Sequence, residues 1–305
     1  MDVRYRNALL FVSLAAIWGS AFVAIKAGLA AFPPVLFAAI RYDVAGVLVL
    51  GYAALVTDPL PRDRRDLAAI AVGATLLIAG YHALLFVGER STTSAVAAVL
   101  VSLSPVLTTG VARVALPEER LSVVGLTGLS LGFLGVIVVA RPAPANLLAK
   151  DILGPVLIVG AALSFAVGSV LTRRLDADLS IEAMEGWSMV GGAILLHGLS
   201  HAVGESAGAI DWTPRALVAL GYLSLVASAI GFLLYFDLLD RLGPVEINLV
   251  SYVAPLFAAL TGFLLLGEPL APATGAGFLL IVLGFVAIKR DGIRAALDRH
   301  FRQRW

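Results

Sequence analysis

The sequence predicts an all-α integral membrane protein of ten transmembrane helices arranged as two inverted five-helix repeats. Three observations carry that prediction. Of the 305 residues, 60% are hydrophobic and 14% charged, where a soluble domain carries about 25% charged residues. The apolar residues fall into ten runs of about 20, the length that crosses a hydrocarbon core of about 30 Å. The first five runs also resemble the last five, so the chain divides into repeats over 1–145 and 146–290, followed by a basic tail over 291–305.

The first span, about 8–28, contains IWGSAFVAIK, in which Trp18, Phe22 and Lys26 recur at spacing four and share one face. Trp18 falls near the midplane and Lys26 near the outer end. Pro33-Pro34 opens the second span, about 33–56, which holds Arg41-Tyr42-Asp43 halfway across. There Asp43 either binds a substrate ammonium or a proton, or locks the bundle through hydrogen bonds. The third span, about 67–88, follows Asp58-Pro59-Leu60-Pro61 and brings Tyr81-His82 into its outer half. That pair supplies ring contacts and a polar handle suited to an aromatic ligand, or packs as a hydrogen-bonded histidine. In the fourth span, about 92–114, Pro105 interrupts the helix and frees the Val101 carbonyl, with Ser102 as a ligand or a compensating donor.

Pro117-Glu118-Glu119 precedes the fifth span, about 122–140, whose Gly125, Gly128, Gly132 and Gly135 make a small face for close packing. The sixth, about 152–172, follows Pro142-Ala143-Pro144 and repeats the first stripe as Phe165, Ser169 and Arg173. Spans at about 182–203 and 214–236 come next, the latter opened by Asp211-Trp212-Thr213-Pro214. The ninth, about 244–266, has Pro255 interrupting it and freeing the Ser251 carbonyl, with Asn248, Ser251 and Tyr252 around the break. Pro105 and Pro255 are therefore gating candidates, bends on which helices can move. Gly267-Glu268-Pro269 precedes the tenth, about 273–289, with Gly275, Gly277 and Gly284.

Lysine and arginine gather on alternate loops. A cytoplasmic amino terminus places Arg62, Arg64, Arg65, Arg113, Arg173, Arg174 and the tail arginines inside and leaves few outside. Both termini are expected in the cytoplasm of an inner-membrane protein. The first run lacks a small-residue cleavage site and is read as a span. Ile293, Leu297, Phe301 and Trp305 give the tail a stripe suited to an anionic membrane surface, or to a solvated basic end.

Repetition is clearest where TTSAVAAVLVSLSPVLTTGVARVALPEERL is set against GPVEINLVSYVAPLFAALTGFLLLGEPL, with Pro105 on Pro255 and Glu118 on Glu268. IWGSAFVAIK pairs with SFAVGSVLTR, with Trp18 on Phe165 and Lys26 on Arg173. Five helices per half is an odd number, so the second half enters the membrane inverted. That is a transporter architecture with its site near the midplane, where the halves meet.

These features resemble the EamA family of the drug/metabolite transporter superfamily: WGSAFVAIK in the first helix, IRY in the second, SPVLTTGVARVALPEE and APLFAALTGFLLLGEP in the fourth and ninth. Within it the chain is most similar to the YddG-type exporters of aromatic amino acids. The resemblance implies a ten-helix basket around a central cavity, alternating access, and export of amino acids or related small metabolites; nucleosides or cationic compounds are the alternative cargo. Phe165 stands where the family pattern would repeat its tryptophan. The substrate-binding set is Trp18, Phe22, Lys26, Asp43, Tyr81, His82, Ser102, Phe165, Asn248, Ser251 and Tyr252. Lys26 and Arg173 serve substrate carboxylates at opposite mouths, or snorkel to headgroups.

Other functions find little support; a non-transporting membrane scaffold is the further alternative, but it would not require two inverted halves. A net charge of +1 argues against nucleic acid, and no cysteine is present for a disulfide or thiolate metal site. GESAG (204–208) matches a nucleophile elbow but follows a membrane helix with no strand before it. No cofactor or metal is expected. The partners are a small-molecule substrate and the bilayer, the chain acting as a monomer or homodimer. With Asp43 as the one good midplane carboxylate, transport is expected to run down a substrate gradient without an imposed proton gradient.

Overall fold

Proline, glycine and short polar side chains set the helix ends where local chemistry puts them. The computed structural model describes residues 3–115, 123–140, 150–242 and 247–302, and among these it is helical with no strand. Ten long helical stretches occur there: α1 (Val3–Gly28), α2 (Pro34–Val56), α3 (Arg64–Glu89), α4 in two parts (Ser94–Val101 and Ser104–Ala115), α5 (Val123–Ala140), α6 (Lys150–Leu175), α7 (Ile181–Ala202), α8 (Pro214–Leu242), α9 (Val250–Leu266) and α10 (Pro272–Arg302). The turns expected at Pro117–Glu119, Pro142–Pro144 and Gly243-Pro244 lie outside the described residues.

Six stretches are long and apolar enough to cross a bilayer: Tyr5–Gly28, Pro34–Val56, Arg64–Glu89, Ser94–Val114, Ile152–Leu175 and Pro214–Leu242. Thr127–Val139, Val250–Leu266 and Pro272–Ala287 are shorter apolar helices. α7 belongs to neither group, because it carries Glu182, Glu185, His197 and His201. Large apolar side chains such as Leu55, Val114, Val218 and Leu265 stand exposed on several helices. Water would penalise so much apolar surface, whereas lipid solvates it.

Carboxylates and hydroxyls satisfy the helix starts. Asp63 caps α3 by accepting from the N–H groups of Arg65 and Asp66; Thr93, Ser180 and Thr213 cap α4, α7 and α8 in the same way. Two caps come from distant chain. Glu205 accepts the N–H groups of Val35 and Leu36 at the start of α2, at 3.1 and 2.7 Å. Glu268 accepts the Ser94 N–H at the start of α4, at 2.9 Å to its nearer oxygen. α9 ends at Gly267, whose φ of 66° suits a residue without a Cβ.

The packing is ordered. α2 lies on α7, α5 on α10, α1 on α9, and α6 on both α3 and α4; α8 packs on α1 and α2, and α7 on α3. The glycine face of α5 meets α10 of the same chain: a methyl at Gly135 would lie 2.6 Å from the Gly277 carbonyl oxygen, and one at Gly284 would lie 2.5 Å from that of Gly128. These small faces are therefore used inside one molecule.

The two prolines behave differently. α4 breaks at Ser102-Leu103, whereas Pro255 stays inside a continuous α9. The turn before α9 lies earlier, at Asn248-Leu249, where the Ser251 and Tyr252 N–H groups reach back three residues to Asn248 and Leu249. α3 and α8 each contain a π-helical segment, Gly73–Gly80 and Tyr222–Ile230, that composition does not announce.

Candidate functional site

A π segment bonds each N–H five residues back, and where it returns to α geometry the ladder leaves a carbonyl short of its donor. In α8 the Gly231 N–H reaches Val226 O. Ala227 O, next along, accepts the indole Nε1–H of Trp18 at 3.1 Å. In α3, Leu76 O, which also takes the Tyr81 N–H, accepts the Ser164 hydroxyl at 2.8 Å. The π segment of α8 is thus tied to α1 and that of α3 to α6. Ser164 precedes Phe165, so the donor that Phe165 lacks comes from its neighbour.

Rings gather at both ties. Trp18 meets Tyr235 at 5.5 Å and Phe232 at 5.8 Å, both on α8. Phe165 meets Tyr81 of α3 at 5.7 Å. Aromatic pairs at such separations attract beyond the area they bury. Tyr222, also on α8, donates its hydroxyl to Ile17 O at 3.0 Å. The sequence-predicted Trp18 therefore stands at the α1–α8 contact, and Tyr81 and Phe165 at the α3–α6 contact, while Phe22 is buried in the main apolar core.

A buried polar chain runs beside these contacts. Arg41 is 6% exposed and donates from Nε to Ser228 Oγ at 3.1 Å, with its guanidinium carbon 5.0 Å from the Tyr42 ring centroid. Tyr42 Oη lies 2.6 Å from His82 Nε2, and His82 Nδ1 lies 2.9 Å from Ile78 O. A carbonyl only accepts, so Nδ1 carries a proton; in the neutral tautomer Nε2 accepts from Tyr42. The chain joins α2, α3 and the π segment of α8.

The remaining predicted residues go elsewhere. Lys26 spends its ammonium on the α3–α4 turn, donating to the carbonyls of Glu89, Arg90 and Thr92 at 2.9, 3.0 and 2.7 Å. Asp43 stands exposed beside His197, 2.8 Å away. Ser102 donates to Val99 O at 2.6 Å, and the Val101 carbonyl freed by Pro105 is taken by Ser104 at 2.7 Å. Asn248 and Ser251 lie at the start of α9. Tyr252 packs on Phe285 of α10 at 4.6 Å, its buried hydroxyl without a partner among the described residues.

Sequence reasoning missed two carboxylates. Glu89, 0% exposed, has no donor on either oxygen among the described residues, although Lys26 lies close. Glu185 of α7, one residue before Gly186 at its contact with Leu50 of α2, is partly accessible. The signal available for both was an acidic residue inside an otherwise apolar helix. Among the described residues no group of acidic, histidine or cysteine side chains is placed to hold a metal ion.

Known proteins agree on the class of molecule. The model of the EamA-like transporter family matches twice, over residues 6–141 and 152–290. The uncharacterized transporter YvbV of Bacillus subtilis is 30% identical over 277 residues, covering 91% of this chain and 89% of that protein. The uncharacterized inner membrane transporter YedA of Escherichia coli is 29% identical over 291 residues, covering 94% and 92%. A chain of known crystal structure shares the fold with a TM-score of 0.66 at 22% identity, covering 95% of this chain and 99% of that one. Such relatives are named as transporters and not as enzymes. The chain is a multi-pass membrane protein that belongs to the EamA-like transporter family.

Proposed function

We propose that the protein exports aromatic amino acids and related small metabolites across the inner membrane, by alternating access between two inverted five-helix halves around a central cavity. The observation that carries this reading is the pair of aromatic ties across the seam, Trp18 with Phe232 and Tyr235, and Phe165 with Tyr81. They bring together rings from α1 with α8 and from α3 with α6, which supports a path for a ring-bearing substrate.

The inverted repeat is supported by packing. Exchanging each helix for the one five places along turns α1 on α9 into α6 on α4, α1 on α8 into α6 on α3, and α2 on α8 into α7 on α3. α2 on α7 and α5 on α10 map onto themselves. The two matches to one family model fall on the same division. An internal α5–α10 interface supports a protein that is complete as a monomer.

Uptake of labelled phenylalanine, tryptophan, alanine, a nucleoside and a lipophilic amine into liposomes holding the purified protein tests the reading. Aromatic amino acids should accumulate faster than alanine and faster than in empty liposomes. Accumulation of the nucleoside or the amine with none of any amino acid would overturn it.

A further inference from the structure

We infer that Arg41 is a substrate-binding residue, taking the carboxylate of the transported molecule on the open fork of its guanidinium. This rests on the amino-acid reading above and names the side chain that would recognise the acid end of such a substrate.

Arg41 is buried within the Pro34–Val56 span. No carboxylate pairs with it among the described residues, and Asp43, two residues along α2, is exposed and faces His197. A cation kept inside a span without a counter-ion is costly, and its default reading is a functional site. Two contacts fix the guanidinium and leave its fork unused. Nε donates to Ser228 Oγ at 3.1 Å, and the guanidinium carbon lies 5.0 Å from the centre of the Tyr42 ring, whose hydroxyl meets His82. The two Nη atoms have no acceptor among the described residues. Unlike the unpartnered oxygens of Glu89 they are not sealed, so each keeps a reachable face. A guanidinium held at Nε with its outer fork open is arranged for two parallel bonds to one planar oxyanion, a geometry that a carboxylate fits and an ammonium does not.

The anchor of Arg41 adjoins that of Trp18. Ser228, which holds Arg41, directly follows Ala227, whose carbonyl oxygen takes the Trp18 indole at 3.1 Å. Consecutive Cα atoms lie about 3.8 Å apart. Arg41 of α2 and Trp18 of α1 therefore converge on one turn of α8, and Trp18 brings the rings of Phe232 and Tyr235 with it. Trp18 is itself partly accessible, so its indole has surface to offer a ligand. An oxyanion donor beside an aromatic cluster matches a molecule whose carboxylate and ring are joined through a short chain, as they are in an aromatic amino acid.

Competition against labelled phenylalanine uptake in proteoliposomes and thermal unfolding in detergent test this. 3-Phenylpropionate, which keeps ring and carboxylate, should compete at least about tenfold more strongly than phenylethylamine, which keeps ring and ammonium. It should also raise the unfolding temperature of the wild type, where phenylethylamine and inorganic phosphate do not. Arg41→Gln should bring the two competitors level and remove the stabilisation, and Arg41→Lys, which keeps the charge without the fork, should retain part of both. Ser228→Ala, which frees Nε, should narrow the ratio between the competitors, a change that a loss of packing alone would not produce. Equal competition in the wild type, or a ratio unchanged in a folded Arg41→Gln, overturns the carboxylate site and leaves amino-acid transport standing. Equal stabilisation by phosphate makes Arg41 a general anion site and overturns its substrate role. Absence of phenylalanine uptake overturns the amino-acid reading, and the unfolding shift then decides the site: stabilisation by 3-phenylpropionate upholds it, and none overturns it. Should a variant fail to fold, the wild-type comparisons decide.

Discussion

Lys26 illustrates how a side chain in a lining stripe can be committed elsewhere. All three of its donors go to the carbonyls of Glu89, Arg90 and Thr92. It acts as a cap for the end of α3, where carbonyls have no helical donor. Hydrogen bonds to charged groups contribute about 1.5–3 kcal/mol, so Lys26→Gln, which retains an amide donor, should cost about 2 kcal/mol of stability. The expected result is a lower melting temperature in detergent with the phenylalanine-to-phenylalaninamide uptake ratio unchanged. A changed ratio would return Lys26 to the substrate path. Trp18 differs, since its indole has both a ring environment and a partner. Trp18→Ala should slow aromatic uptake about two- to twelvefold relative to alanine, the effect of losing about 0.5–1.5 kcal/mol of ring contact. Trp18→Phe should keep most of that selectivity but leave Ala227 O unpaired, so it should lose stability more than specificity.

Helices divide into features written locally and features imposed by neighbours. The ends of α2, α4, α7 and α8 follow Pro34, Thr93, Ser180 and Thr213 and were readable, because each signal sits beside the end it makes. The π segments of α3 and α8 were not readable. They accept donors from distant helices, Ser164 of α6 and Trp18 of α1, which no local pattern brings near. The same limit applies to the site: Trp18 and Phe165 announced themselves as aromatics at equivalent places and Tyr81 as an aromatic beside a histidine, whereas the buried Arg41 meets Ser228 only when α2 and α8 are assembled. At α4 the proline's effect was foreseeable but the donor was not, since Ser102 and Ser104 both lie within three residues of Val101. Ser104→Ala should cost about 1–3 kcal/mol by stranding the Val101 carbonyl. Ser102→Ala should cost a similar amount, because the Leu103 N–H turns to Leu100 O at 3.2 Å and leaves Val99 O to the Ser102 hydroxyl. Thermal unfolding of the two variants side by side checks this, and no loss for either would mean that the break is held in another way.

Orientation belongs to the whole molecule, because no single helix knows which side it faces. The chain's lysines and arginines decide it collectively: the α2–α3 loop carries Arg62, Arg64 and Arg65, and Arg173 and Arg174 end α6. We propose that retention of such clusters in the cytoplasm sets the amino terminus inside, and that an even number of crossings returns the carboxyl terminus to the same side. In that orientation the α3–α4 turn, where Arg90 stands exposed next to the Lys26 cap, would lie outside. With no native cysteine, single introduced thiols report without background. In intact cells Asp2→Cys and His300→Cys should react only with membrane-permeant maleimides, while Arg90→Cys should react with an impermeant one. Each pair of sites tests a different count. Asp2 and His300 on opposite sides would require an odd number of crossings, and Arg90 protected together with both termini would require an even number before α4. Labelling of both termini from outside with Arg90 protected would keep the ten-helix count and invert the protein, making importer the natural sense of a path now read as export.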